Sequence, residues 1–155
     1  HKNIKNIFFD KNYVSKDKFD VVCSWDVLEH VEDPVSFIKK MFHLTNQNGY
    51  IALSTIDITS SFARIMGYKW QWIMPMHIHY FGNNSLESIF EDLGMKKIYI
   101  GPYRHYAKIS YILNHFLPNL SSHKMVNRFI SFFDSFVIPV SLGDIKMYIY
   151  KKVDR

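Results

Sequence analysis

Apolar residues recur along the chain in two rhythms. Phe19 to Trp25 (FDVVCSW) is β-branched, aromatic and nearly unbroken in apolarity, the pattern of a strand covered on both faces. Tyr50 to Thr55 (YIALST) and Met95 to Gly101 read as two more strands. Between them the spacing becomes helical. Phe37, Ile38, Met41 and Leu44 follow Asp33-Pro34, where Asp suits an N-cap and Pro the first helical position. Asn46 to Gly49 is expected to stop that helix, with Gly49 supplying the permissive backbone. Leu86, Ile89, Phe90 and Leu93 fall at i, i+3, i+4 and i+7 behind Asn84-Ser85, and Gly94 ends the run. Ser60 or Ser61 is expected to cap a short helix through Met66.

The remaining stretches are less regular. Ile4 to Phe9 suggests a strand and Asp10 to Lys18 a loop. Gly67 to Phe81, with two Trp and two His, reads as an irregular functional loop. Tyr103 to Val140 is expected to be largely helical, broken by Pro118 and closed by Pro139. Its second half would place Met125, Phe129, Phe132, Phe133 and Phe136 on one face. Asp144 to Lys151 alternates apolar and polar residues, as an edge-side or antiparallel strand does. Strands alternating with helices predict an α/β fold with a mainly parallel sheet. Ligands of such sheets lie beyond the carboxyl ends of the strands, which directs attention to the residues after Trp25 and Thr55.

Composition narrows the partners. At 155 residues the chain suits one domain, and 48% apolar with 21% charged residues excludes disorder. Its aromatic content of 17% implies a crowded core or an apolar surface that meets something. The formal charge is +5, yet the pairs Lys39-Lys40, Lys96-Lys97 and Lys151-Lys152 lie far apart, as on solvated faces. That scatter disfavours nucleic acid as a partner, and it lends a membrane surface or an acidic substrate no more than weak support. The lone Cys23 rules out a disulfide framework and fits a reducing, cytoplasmic setting. No basic residue flanks it, so a buried strand thiol is the expectation rather than a nucleophile. No apolar run reaches the ~18 residues of a membrane span.

Phe19-Asp20-Val21-Val22, followed by Asp26-Val27-Leu28-Glu29-His30-Val31 and Asp33-Pro34, resembles a recurrent block of class I S-adenosylmethionine-dependent methyltransferases. Asn48-Gly49-Tyr50-Ile51, then Pro75, His77, Tyr80-Phe81, Ser85-Leu86 and Leu93-Gly94-Met95 are similar to its later positions. Leu142-Gly143-Asp144 and Lys151 are similar to its last strand, which inserts antiparallel. The resemblance implies a Rossmann-like, mostly parallel sheet with an antiparallel last strand, incomplete at its N-terminal half. The family's glycine-rich loop and the acidic end of its second strand have no counterpart here. The implied organisation is a partial domain, a fragment expected to bind cofactor weakly or not at all. It has core elements over 1–102, a helical lid or insert over 103–140 and the last strand over 141–155.

The same resemblance implies S-adenosylmethionine as cofactor, with Trp25, Asp26 and Leu28 beside it, and a small-molecule acceptor methylated on oxygen. His77 is the expected general base or acceptor-orienting group, since imidazole titrates near neutrality, with His30 as its companion and His79 ranked lower. Arg64, Trp70 and Trp72 are expected to wall the acceptor pocket. Asp26, Glu29 and His30 resemble the divalent-metal site of small-RNA 2′-O-methyltransferases and ubiquinone-biosynthesis O-methyltransferases, with Asp where those have Glu. Metal-independent chemistry is the first expectation. A metal-assisted RNA 2′-O-methyltransferase and a non-catalytic module that kept the fold are the alternatives.

Overall fold

The computed structural model describes Phe9, Tyr13, residues 15–110 and residues 135–153. They form two compact units, His1–Pro102 with Gly143–Arg155, and Tyr103–Leu142. In the first, strand β1 (Phe19–Trp25) leads through a 3-10 turn (Leu28–His30) into helix α1 (Pro34–Leu44) and strand β2 (Thr45–Ile56). Helix α2 (Ser61–Met66), a second 3-10 turn (Gly67–Lys69), helix α3 (Asn83–Asp92) and strand β3 (Met95–Pro102) follow. In the second unit strands β4 (His105–Lys108) and β5 (Val137–Val140) pair antiparallel. Strand β6 (Ile145–Lys152) returns to the first unit, where the sheet order is β1-β2-β6-β3. β1 runs parallel to β2, and β6 is antiparallel to both β2 and β3. The sheet is therefore the mainly parallel one expected, with its last strand reversed.

Local chemistry explains most boundaries. The Asp33 carboxylate accepts the Ser36 N–H at 2.9 Å and Pro34 opens α1. Ser60 caps α2 through the Ala63 N–H. Ser85 Oγ donates to the Gly82 carbonyl and accepts the Gly82 N–H at the start of α3.

One face of the sheet carries the core. Ile51 and Leu53 of β2 lie opposite Tyr150 and Tyr148 of β6. Ile38 and Met41 of α1 and Leu86 and Phe90 of α3 complete the same cluster. Phe90 stacks on Tyr150 with centroids 4.0 Å apart. Burial pushes both tyrosine phenols far above their ordinary value, so they stay neutral in the core.

Four expectations change. Asn46 to Gly49 belong to β2 rather than to a separate turn. The positive φ there is at Asn48 (64°), and Gly49 serves close approach instead: a Cβ on it would sit 2.9 Å from the carbonyls of Asn46 and Asp20. β1 is covered on one face only: the alternate residues Phe19, Val21, Cys23 and Trp25 are exposed, whereas Ser24 on the opposite face is buried. Cys23 is accordingly exposed, not buried. Residues 105–108 and 137–140 are strands rather than helix, their β-branched and aromatic side chains having found a cross-strand partner. Met125, Phe129, Phe132 and Phe133 lie outside the described residues, as does nearly all of the Ile4 to Phe9 stretch. Among the described residues no helix is long and apolar enough to cross a membrane.

Replacing Phe90 by Ala is expected to cost about 3–5 kcal/mol in urea denaturation, and a loss below about 1 kcal/mol would contradict its place in the core. Asp33 is held below its ordinary value of 3.8 by its Ser36 hydrogen bonds. Its folded value being depressed, the cap's stabilisation is present above the ordinary value and lost as pH falls through the lowered one. Asp33→Asn should keep the cap and flatten stability in that acidic window; an unchanged acid profile would contradict this.

Candidate acceptor and cofactor site

β1 ends at Trp25, paired with Ser54 of β2, and Asp26 turns the chain out of the sheet with φ 51°. Asp tolerates this left-handed conformation better than most residues. The Asp26 N–H donates to the Ser54 carbonyl and hydroxyl, and the Ser54 hydroxyl donates back to the Asp26 carboxylate at 2.7 Å. Beside this corner a cleft of about 1080 Å³ runs along β1 and the first turns of α1. Val22, Trp25, Val27, His30, Asp33 and Phe37 are among the residues on its wall. Trp25 is 44% exposed and stands on the cleft wall. Leu28, expected beside the cofactor, is fully buried in the core cluster, and the cleft wall is formed without it.

The 3-10 turn after β1 places Glu29 inward and His30 on the cleft wall. The Glu29 carboxylate is 2% exposed and accepts the Thr55 hydroxyl at 2.8 Å. The carbonyl of Glu29 accepts the N–H groups of Ile78 and His79, which draws the 67–81 loop across the carboxyl end of the sheet. This brings His77 beside His30, ring centroids 4.7 Å apart. One donor atom each from Glu29, His30 and His77 lies within 4.8 Å of the other two.

Both imidazoles are held in a defined tautomer. His30 Nδ1 faces the Met76 carbonyl at 2.9 Å and His77 Nδ1 faces the Trp72 carbonyl at 2.7 Å. A carbonyl only accepts, so Nδ1 carries the hydrogen in each ring, and in the neutral ring the lone pair is then on Nε2. Lone pairs of this kind take a proton from an acceptor or bind a metal ion. His79 is turned the other way, its Nε2 donating to the Glu32 carbonyl at 3.3 Å.

The acceptor-pocket residues divide. Trp70 is 2% exposed and Trp72 half-buried, and both indole N–H groups donate to Asp144 Oδ2 at 2.9 Å. Trp70 is thus a plug under the loop rather than a pocket wall. Arg64 is exposed on α2, outside the cluster. Of the three residues singled out as a metal set, Glu29 and His30 come together, Asp26 turns to Ser54, and His77 takes the third place. Thr55, Ser54, Tyr80 and Asp144 have no site role in the sequence reading, although Tyr80 and Asp144 stand among its family-like positions. A Ser-Thr pair ending a buried strand and a lone acid after Gly143 are the only other traces of them there.

A buried carboxylate beside two imidazoles with fixed tautomers suits a divalent cation, because buried charge needs a partner and the second hydrogen bond of each ring fixes its aim. The same group without an ion orients and deprotonates a hydroxyl. Thr55→Val should leave the Glu29 carboxylate short of a donor and lower stability by about 1–3 kcal/mol in denaturant titration; no loss would show that the pair is not a buried contact.

Residues 1–100 match the methyltransferase domain family. The mitochondrial ubiquinone biosynthesis O-methyltransferase of Dictyostelium discoideum is 33% identical over 88 residues, which is 52% of this chain and 27% of that protein. The chain therefore spans about a quarter of that relative's length. Among solved structures, a SAM-dependent methyltransferase of Thermotoga maritima superposes with a TM-score of 0.53 at 14% identity, over 90% of this chain and 60% of that one. The plantazolicin methyltransferase BpumL, solved with SAH and a desmethyl substrate analog, gives 0.53 at 13% identity over 93% of this chain and 56% of that one. Those two likenesses establish the fold, and with the match over 1–100 the conclusion is that this chain belongs to the class I S-adenosylmethionine-dependent methyltransferases.

Proposed function

We propose that this chain carries the acceptor side of a methyltransferase that methylates a hydroxyl of a small molecule, with Glu29, His30 and His77 gripping that hydroxyl. The observation that carries the reading is the convergence of these three at the carboxyl end of the sheet, with both imidazole Nε2 lone pairs free. The partial likeness to a protein named an O-methyltransferase agrees with it. So does the chemistry: an acceptor hydroxyl has a proton to lose, and a neutral imidazole is suited to take it.

Bound S-adenosylmethionine supplies a methyl carbon whose bond to sulfur breaks toward sulfur as the acceptor oxygen attacks. The residues of this chain fit such a ligand. Trp25 offers a half-exposed ring to adenine and the cleft beside it is large enough for a nucleoside. His77 Nε2 receives the hydroxyl proton, while the Trp72 carbonyl stabilises the imidazolium through Nδ1–H. His30, on the cleft wall, orients the hydroxyl from the cofactor side. The 67–81 loop excludes water from the reacting atoms, on which in-line displacement depends.

A second reading draws on the same cluster: Glu29, His30 and His77 hold a divalent cation that lowers the pKa of the acceptor hydroxyl and fixes its direction. Transfer of labelled methyl from S-adenosylmethionine to a panel of catechols and phenols, with the longest product of the gene, decides these matters. His77→Ala is expected to lower kcat by about 10²–10⁴. Cofactor affinity should stay within about threefold in the same variant. A chelator that abolishes transfer, with recovery on adding Mg²⁺ or Zn²⁺, selects the cation reading, and indifference to chelator selects the metal-free base. An unchanged kcat in His77→Ala, or no hydroxyl methylated at all, contradicts the proposal.

A further inference from the structure

Asp144 stands just before β6 and is 4% exposed. Gly143 before it has φ 75°, the left-handed turn that brings the chain round into the strand. The Asp144 carbonyl accepts the Asp57 N–H at 2.8 Å, so its backbone is tied to the end of β2. Its side chain reaches away from the sheet. A single carboxylate oxygen, Oδ2, takes the indole N–H groups of Trp70 and Trp72, both at 2.9 Å. An oxygen of this kind has two lone pairs, and two charge-assisted bonds fill them. Trp72 then presents its carbonyl to His77 Nδ1–H at 2.7 Å and to the Tyr80 hydroxyl at 3.3 Å. The rings of Trp72 and Tyr80 stand 6.0 and 6.4 Å from that of His77.

We infer that Asp144 is a positioning residue for His77: through Trp72 it holds the carbonyl that fixes the imidazole as the Nδ1–H tautomer, with Nε2 free at the acceptor site. The path runs from a rigid strand through carboxylate, indole and backbone carbonyl to the ring, with no gap along it. It supplies what an irregular loop lacks, namely a reason for its central histidine to keep one aim. Without the carboxylate both indoles lose their anchor, the Trp72 carbonyl is released and His77 is free to carry its hydrogen on Nε2. The ring would then be a donor where a base is needed. Only the catalytic meaning of His77 rests on the proposed O-methyltransferase reading; the hydrogen-bond path stands on its own geometry.

The test is long-range ¹H–¹⁵N correlation on the ¹⁵N-labelled chain at about pH 8, where histidines are neutral. His77 should show the Nδ1–H tautomer as a single pattern. In Asp144→Ala that pattern should average between tautomers, and both indole N–H groups should exchange with solvent at least about tenfold faster. Asp144→Asn keeps an acceptor oxygen and should retain the His77 pattern. Trp72→Phe keeps the ring and the carbonyl but removes the tie, so it should reproduce the averaging and serves if Asp144→Ala does not fold. An unaltered Nδ1–H pattern in either folded variant overturns the inference. In methyl-transfer assays Asp144→Ala should lower kcat about tenfold or more with the cofactor KM unchanged. A tautomer change as described, together with full activity of His77→Ala, supports the hydrogen-bond path and overturns instead the role given to His77 in the reaction.

Discussion

β6 enters the sheet antiparallel between β2 and β3, and its middle and its start do different work. In its middle, Tyr148 and Tyr150 lie across from Leu53 and Ile51 and fill the core face, and Tyr150 stacks on Phe90 of α3. Just before its first residue, Asp144 reaches the two tryptophans under the 67–81 loop. The residue after Ile145, Lys146, pairs at 2.7 Å with the fully buried Asp57 just after β2. Remove this strand and β2 and β3 part company, while the loop bearing His77 loses its footing. Core and chemistry share one structural cause, and the carboxyl end of β2 is where they meet.

The opposite margin of the sheet explains the open cleft. Among the described residues β1 has a strand partner on one side only, and Phe19, Val21 and Trp25 are all more than 40% exposed. A strand with one unpaired edge and apolar side chains on view is a template for further pairing. Its carboxyl end also opens onto the cleft of about 1080 Å³, with Trp25 and His30 on the wall. Cys23 is exposed on the same face of the strand as Val21 and Trp25. The sequence pattern could not distinguish a strand covered on both sides from one left at a margin, because apolar continuity is identical in the two cases.

Much of the fold was legible because local signals agreed. Phe19 to Trp25 was delimited to the residue, and Asp33-Pro34 marked the start of α1 by its own capping chemistry. The antiparallel character of the last strand was readable from alternation and from the family resemblance together. Where tertiary pairing overrode local preference, the reading failed. Asn46 to Gly49 look like a turn, yet they lie within β2 as the stretch over which the register jumps from Thr45 opposite Phe19 to Tyr50 opposite Val21, and the aromatic 103–140 stretch begins and ends in strands. The candidate site was half legible. Glu29, His30 and His77 could be picked out singly, but not that hydrogen bonds to the Glu29 carbonyl would bring a loop some fifty residues later onto them. Asp144 was legible as the start of the last strand, but nothing in sequence links it to tryptophans more than seventy positions away.

The most direct test of the account is whether Glu29 and His77 act as a unit in methyl transfer. A double-mutant cycle on kcat/KM with Glu29→Gln, His77→Ala and the combined variant measures this. The account predicts that the double variant loses little more than the worse single one, a coupling of about 1–3 kcal/mol between two side chains in one site. Losses that simply multiply would show that the two residues work independently, and would contradict a common acceptor site.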